Sequence, residues 1–201
     1  ESVMTMKIMA VDFGDSRTGL AVCDKTEFLA SPIGVIHEKS FPATIQKVAY
    51  AAEEYDVTLG MEVLNRYEGY ILNTCDEAID FVDEIGSSHV KIMLDTFHMN
   101  IEEDNIAAAI RRAGSRLGHL HLGEQNRMVP GKGSLPWGEI GQALRDIQYE
   151  GAAVMEPFVM KGGTIGKEIK VWRDLIDDLS EERLDEDAKG ALNFVRHVFG
   201  I

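Results

Sequence analysis

The stretch NIAAAIRRAGSRLGHLHLGE, residues 105–124, decides the fold that we predict for this chain. Its first part, Asn105–Leu117, has the pattern of a helix, and its second part, Gly118–Leu122, alternates histidine with leucine, as a strand with two unlike faces does. A helix that leads directly into such a strand is the repeating pattern of parallel α/β proteins.

The same alternation continues on both sides of this stretch. We predict strands at 58–64, 90–97, 118–122 and 152–158, and helices at 73–85, 105–117, 136–148, 165–175 and 180–199. Ser180 is the expected N-cap of the last helix. Four successive βα units predict a sheet of parallel strands joined by right-handed crossovers.

The residues ahead of these units follow another order. We predict three short strands and one helix, β-β-β-α, at 7–11, 17–23, 32–37 and 41–55. Turn residues between the strands favour hairpins. The chain is therefore predicted to have two domains, residues 1–56 and residues 57–201.

Composition narrows the classes of function. The 201 residues carry a formal net charge of −14, which argues against a nucleic-acid partner, because phosphates require a basic surface. No run approaches the length of a membrane span, and no signal peptide is recognisable. The two cysteines, Cys23 and Cys75, have no metal-type spacing, which is typical of a reducing cytoplasm.

Each predicted strand of the βα units carries, near its carboxyl end, a residue that can bind a metal: Glu62, Asp95, His121 and Glu156. Taken singly, each is typical of a solvated rim residue, a helix cap or a hydrogen-bonded histidine. Taken together, they lie at one edge of the sheet, because parallel strands bring their carboxyl ends to one face. Three carboxylates and one imidazole suit Mn²⁺, Mg²⁺ or Co²⁺ better than a structural zinc.

Two carboxylates beside one metal predict proton transfer at a carbon next to a carbonyl. The metal would polarise the carbonyl and stabilise the enediolate. One carboxylate would remove the proton from one face, and the other would return it on the opposite face, which is an epimerisation. Arg127 is placed to anchor substrate oxygens.

Several motifs then resemble the ketohexose 3-epimerases, the D-tagatose and D-psicose 3-epimerase family, over about 57–201. They are MEVLNRYE at 61–68, LDTFHMNIEE at 94–103, GHLHLGE at 118–124, NR at 126–127, VPGKG at 129–133, MEPF at 155–158 and VWRD at 171–174. The resemblance implies an isomerase built on a TIM barrel, of which only the last four βα units are here.

The resemblance also implies roles for single residues. Glu62, Asp95, His121 and Glu156 would bind the metal, with Mn²⁺ expected ahead of Co²⁺ or Mg²⁺. Glu62 and Glu156 would exchange the proton at C3 of a ketohexose of the D-fructose/D-psicose or D-tagatose/D-sorbose type. Glu68, His98 and Arg127 would bind the sugar.

The first 56 residues resemble a different family. KIMAVDFGDSRTGLAV at 7–22 is similar to the start of the RNase-H-like Holliday-junction-resolvase family, with Asp12 at that family's first metal-binding position. The chain thus resembles a chimera: an RNase-H-like β-β-β-α fragment followed by a half TIM barrel, (βα)4.

Because the first four βα units of the family's barrel have no counterpart here, three functions are open. The chain is an epimerase, whose activity the missing units could impair, or an inactive metal-binding scaffold. A nuclease fragment is the least favoured. A half barrel has unpaired edge strands, so we also expect a homo-oligomer.

Overall fold

A computed structural model describes residues 7–26 and 28–200 of the chain. Its contacts divide the chain into two compact units. Unit 1 comprises the residues up to Gly60 together with Phe81–Lys91, and unit 2 comprises Met61–Asp80 together with the residues from Ile92 onward.

Unit 1 begins with an antiparallel sheet in the order β1-β2-β3. Its strands are β1 (Met9–Asp12), β2 (Arg17–Cys23) and β3 (Ala30–His37). Helix α1 (Phe41–Tyr55) follows, so the predicted order β-β-β-α is confirmed within the described residues.

Local chemistry explains both ends of α1. The Ser40 side chain accepts a hydrogen bond from the backbone of Ala43, and Pro42 lies in the first turn, where a missing N–H costs nothing. Asp56 ends the helix in the left-handed region, with φ 55°.

A second sheet has the strand order β4-β5-β6-β7. The strands are β4 (Leu59–Glu62), β5 (Val90–Asp95), β6 (Leu117–Leu122) and β7 (Ala152–Met155). The β5–β6 and β6–β7 pairs are parallel, as predicted from the βα alternation. The remaining helices are α2 (Cys75–Ile85), α3 (Thr96–Glu102), α4 (Ile106–Ala113), α5 (Trp137–Asp146), α6 (Gly163–Glu168) and α7 (Glu181–Phe199).

The core of unit 2 lies on one face of its strands. Leu94, Leu120 and Leu122 are buried there, and α5 packs against α4 and α7. The residues that alternate with these leucines face the other side, where Val154 is 46% exposed. Two faces of one sheet therefore differ: one is a closed core, and the other carries the polar strand ends.

Several predicted elements were wrong in extent, among them the strand predicted at 152–158, which ends at Met155, and the helix predicted at 105–117, which ends at Ala113. Two further differences have a clear local cause. The strand predicted at 90–97 ends at Asp95, because the Asp95 side chain accepts a hydrogen bond from the backbone of Phe97 and caps α3, a helix that the sequence pattern did not reveal. The helix predicted at 165–175 is only α6, since Val171 N–H bonds back to Gly166 and Lys170 adopts φ 66°.

Candidate metal and sugar site

The four predicted metal ligands converge at the carboxyl ends of the strands of the second sheet, and all four belong to unit 2. Glu62 ends β4, Asp95 ends β5, His121 lies in β6, and Glu156 follows β7. Asp95 pairs in register with His121, so both side chains leave the same face. One ligand atom from each of the four residues lies within 4.8 Å of the others.

His121 is at the centre of the group. Its Nδ1 lies 3.4 Å from Glu62 Oε1 and 3.5 Å from Glu156 Oε2. This nitrogen is buried and has no hydrogen-bond partner. A buried polar atom without a partner is costly, and a cation held by the lone pair of Nδ1 would remove that cost. The donor set therefore fits a divalent metal.

The carboxylates of this group repel one another in a partly buried site. Burial raises the pKa of Glu62, with the nearby Asp95 carboxylate adding to the effect and His121 opposing it. Burial also raises the pKa of Glu156, and both Asp95 and Glu62 add to it. A site of this kind favours either a proton or a bound cation on its acids.

Arg127 joins the predicted sugar-binding residues to the metal group. Its Nη1 donates to Asp95 Oδ2 at 3.2 Å, and its Nη2 lies 3.7 Å from Glu68 Oε2. The guanidinium lies 3.7 Å from the ring centroid of Phe97 and 4.9 Å from that of Phe158. Arg127 also adopts φ 62°, a left-handed conformation that is uncommon outside glycine and that often occurs at functional sites.

His98 is the second predicted sugar-binding residue, and it is 2% exposed. Its Nε2 lies 3.3 Å from Arg127 Nη2 and 3.9 Å from Asp95 Oδ2. Burial lowers the pKa of His98, and the neighbouring Arg127 adds to that effect while Asp95 opposes it. His98 and Arg127 thus face the same small region beside Asp95, as does the carboxylate of Glu68.

Two kinds of residue escaped the sequence analysis. Asn65, directly after β4, bonds to both Glu68 and His98, and the aromatic rings of Phe97 and Phe158 flank Arg127. Their sequence signals were a position close to a strand end that carries a predicted ligand and a place in the motifs MEVLNRYE, LDTFHMNIEE and MEPF.

Glu124 also follows a strand end, but its contacts are structural. It is completely buried and accepts hydrogen bonds from the backbone of Gly131 and Leu135 and from Trp137 Nε1. These bonds hold the loop between β6 and α5, so Glu124 is not available to a ligand.

Parallel strands that carry a carboxylate–imidazole cluster at their carboxyl ends define a metal-binding α/β protein of the TIM-barrel type. A family model described as "Xylose isomerase-like TIM barrel" matches residues 36–181. The chain belongs to this family.

Curated relatives point to one branch of it. A D-psicose 3-epimerase of Enterocloster bolteae is 82% identical over 157 residues, which are 78% of this chain and 52% of the relative. A D-psicose 3-epimerase of Ruminiclostridium cellulolyticum is 57% identical over 155 residues, covering 77% of this chain and 53% of the relative. The chain spans about half the length of the curated relatives it matches.

Solved structures agree with this result. A crystal structure of a D-psicose 3-epimerase in the presence of D-fructose matches with a TM-score of 0.77 and 56% identity, over 79% of this chain and 55% of that chain. A D-psicose 3-epimerase with D-tagatose, from Clostridium cellulolyticum H10, matches with a TM-score of 0.76, over 78% of this chain and 54% of that chain.

A second family model, described as "Holliday junction resolvase", matches residues 6–64. It overlaps the barrel match at 36–64. The similarity to the Enterocloster bolteae protein extends over 157 residues, more than the stretch 57–201 contains, so it begins before residue 57. Among the described residues, the Glu62 group can hold a metal, and Asp12 belongs to no cluster of three or more such side chains.

Proposed function

We propose that this chain is an isomerase that epimerises a ketohexose at C3, of the D-fructose/D-psicose or D-tagatose/D-sorbose type. The observation that carries the proposal is the convergence of Glu62, Asp95, His121 and Glu156 within 4.8 Å. The 82% identity to a D-psicose 3-epimerase supports the reaction, and the D-fructose and D-tagatose named for two similar structures support the substrate class.

The proposed metal ligands are these same four residues. Three carboxylates and one imidazole suit Mn²⁺, and also Co²⁺ or Mg²⁺. The buried Nδ1 of His121, which has no hydrogen-bond partner, supports a cation at this point. A bound divalent cation would polarise the ketose carbonyl and make the proton on C3 more acidic.

Glu62 and Glu156 are the proposed acid/base pair. They approach His121 Nδ1 from two different strands, β4 and β7, with closest distances of 3.4 and 3.5 Å. Carboxyl groups on two sides of a sugar can remove a proton from one face and return it to the other. Burial raises the pKa of both groups, which helps each to hold a proton between the two steps.

Glu68, His98 and Arg127 are the proposed sugar-binding residues. Arg127 and His98 present donors to the region next to Asp95, and Glu68 presents an acceptor. Together they can bind the hydroxyl and carbonyl oxygens at one end of a ketose and hold it against the acid/base pair.

The domain organisation and the assembly are part of the proposal. Residues 1–56 would be the RNase-H-like fragment, a view supported by the match at 6–64, and 57–201 the half barrel. Strands β4 and β7 end the second sheet, and Val154 on its polar face is 46% exposed. Such edges favour a homo-oligomer whose copies cover one another. A cytoplasmic location stays a prediction.

The experiment is epimerisation by the purified full chain, incubated with Mn²⁺ and either D-fructose or D-psicose, with the C3 epimer measured by chromatography. We expect turnover that disappears in Glu156→Gln. Glu150→Gln is the matched control, because Glu150 lies exposed just before β7 and touches none of the proposed site. Turnover by the parent that Glu156→Gln leaves unchanged would refute the assigned roles.

A second candidate function is a metal-binding scaffold without activity. It is favoured by one observation: the chain spans about half the length of its relatives, so half of their barrel has no counterpart in the match. Metal affinity without any epimer would support it. Cleavage of branched DNA would instead support the nuclease alternative suggested by the match at 6–64.

A further inference from the structure

Asn65 is buried, and each of its polar groups has a hydrogen-bond partner. It is 1% exposed and occupies the turn that follows β4. Its Oδ1 accepts from Tyr67 N–H, and its backbone carbonyl accepts from Glu68 and Gly69. Its Nδ2 donates to Glu68 Oε1 at 2.9 Å and lies 2.7 Å from His98 Nδ1. The remaining group, its backbone N–H, donates to His98 Nδ1 at 3.2 Å.

These bonds determine the orientation of the amide. The backbone N–H of Tyr67 can only donate, so the atom of Asn65 that it meets is the oxygen. The other terminal atom is therefore the nitrogen, with two hydrogens. One hydrogen serves Glu68, and the other points to His98.

The same reasoning determines the tautomer of His98. Its Nδ1 receives a backbone N–H and an amide N–H, so this nitrogen offers a lone pair and carries no proton. The neutral ring then has its proton on Nε2. Arg127 Nη2, another donor, lies 3.3 Å from Nε2, and the nearest carboxylate oxygen, on Asp95, is 3.9 Å away. Two donors, Nε2–H of His98 and Nη2 of Arg127, thus lie side by side, and among the described residues Nε2–H has no acceptor within hydrogen-bond distance.

We infer that Asn65 is a positioning residue: it holds His98 as the Nε2–H tautomer and fixes one oxygen of Glu68, so that His98 and Arg127 present paired donors to one ligand oxygen. The importance of this arrangement for catalysis rests on the proposed function, but the tautomer itself does not. A ketose carbonyl or hydroxyl oxygen is the kind of acceptor that two such donors would bind.

The direct test is the protonation of the two ring nitrogens of His98, measured by long-range ¹H–¹⁵N correlation NMR on the full chain loaded with diamagnetic Mg²⁺. The signals are assigned by their loss in His98→Gln. We expect a protonated Nε2 and an unprotonated Nδ1. A protonated Nδ1 in the parent protein would overturn the inference without the need for any variant.

Asn65→Asp tests the role of the amide. The change replaces the Nδ2 donor by a carboxylate oxygen, which favours a proton on Nδ1, so the ratio of Nε2–H to Nδ1–H should fall about tenfold or more. Asn73→Asp is the matched control, because the Asn73 amide braces the same turn through the carbonyls of Leu64 and Gly69. Equal changes of this ratio in both variants would overturn the role of the Asn65 amide, because both substitutions would then act only by disturbing the turn.

A third variant covers the case in which Asn65→Asp fails to fold. Asn65→Ser removes the amide without adding charge, and its retained backbone N–H should leave a smaller but measurable change in the same ratio. If the parent protein is active, Asn65→Asp should lower kcat more than Asn73→Asp does. An inactive parent with the expected tautomer would refute the proposed function and leave this inference standing.

Discussion

Addition of a divalent metal should raise the free energy of unfolding of this protein and therefore its Tm. The four donors come from residues 62 to 156 and assemble only in the folded chain, so the unfolded chain lacks the site. A ligand that binds only the folded state stabilises it by about 2.7 kcal/mol at 100 times its dissociation constant. For a protein of 201 residues this corresponds to a rise in Tm of about 5 to 11 °C.

The assay is thermal unfolding of chelator-treated protein, followed by circular dichroism during a Mn²⁺ titration. His121→Gln removes the imidazole at the centre of the group and should abolish most of the rise. His197→Gln, an exposed histidine on α7, is the control and should keep it. A rise in the parent below about 1 °C, or one equally large in His121→Gln, would refute the assignment of the site.

Three further predictions concern single groups. Glu124→Gln should lower the free energy of unfolding by about 2 to 4 kcal/mol in urea titrations, because a buried amide cannot accept all three of its hydrogen bonds; no loss would contradict the structural role. Burial raises the pKa of Cys75 to about 12, so its thiol should resist alkylation at pH 8 until the protein unfolds. Modification of Cys75 in the native state would disprove its burial. Burial raises the pKa of Glu62 and Glu156 above their usual 4.5, so the folded, metal-free protein binds protons more tightly than the unfolded chain. Its Tm should therefore fall as pH rises from 4.5 through those raised values, and fall less in Glu62→Gln; an unchanged slope would argue against the shift.

The sequence predicted the parallel strands and their ligands because both follow from one rule. A strand of a parallel sheet is covered on both faces and reads as a largely apolar run, and Glu62 and Asp95 are the first acidic residues in two such runs. The parallel order then brings those ends together without knowledge of the loops. The roles of these residues stay predictions that the experiments above address.

The parts that escaped prediction depend on individual hydrogen bonds and backbone conformations that no periodic pattern reveals. Helix α3 begins at Thr96 because the Asp95 side chain caps it, so a residue that looks like the last of a strand is also the start of a helix. The position of Asn65 against His98 joins residues 33 apart, and no spacing rule reveals such a pair. The left-handed backbone conformation of Lys170 likewise leaves no periodic pattern in the sequence.

All four cation-binding candidates belong to Met61–Asp80 and the residues from Ile92 onward, within unit 2. Their spacing is set by strand register rather than by the residues at the start of the chain. The continuous stretch from Met61 onward, which contains all four, is therefore a module for protein engineering: different front halves could be joined ahead of it in a recombination library. Selection for sugar conversion would then show which front halves form an active barrel together with these four residues.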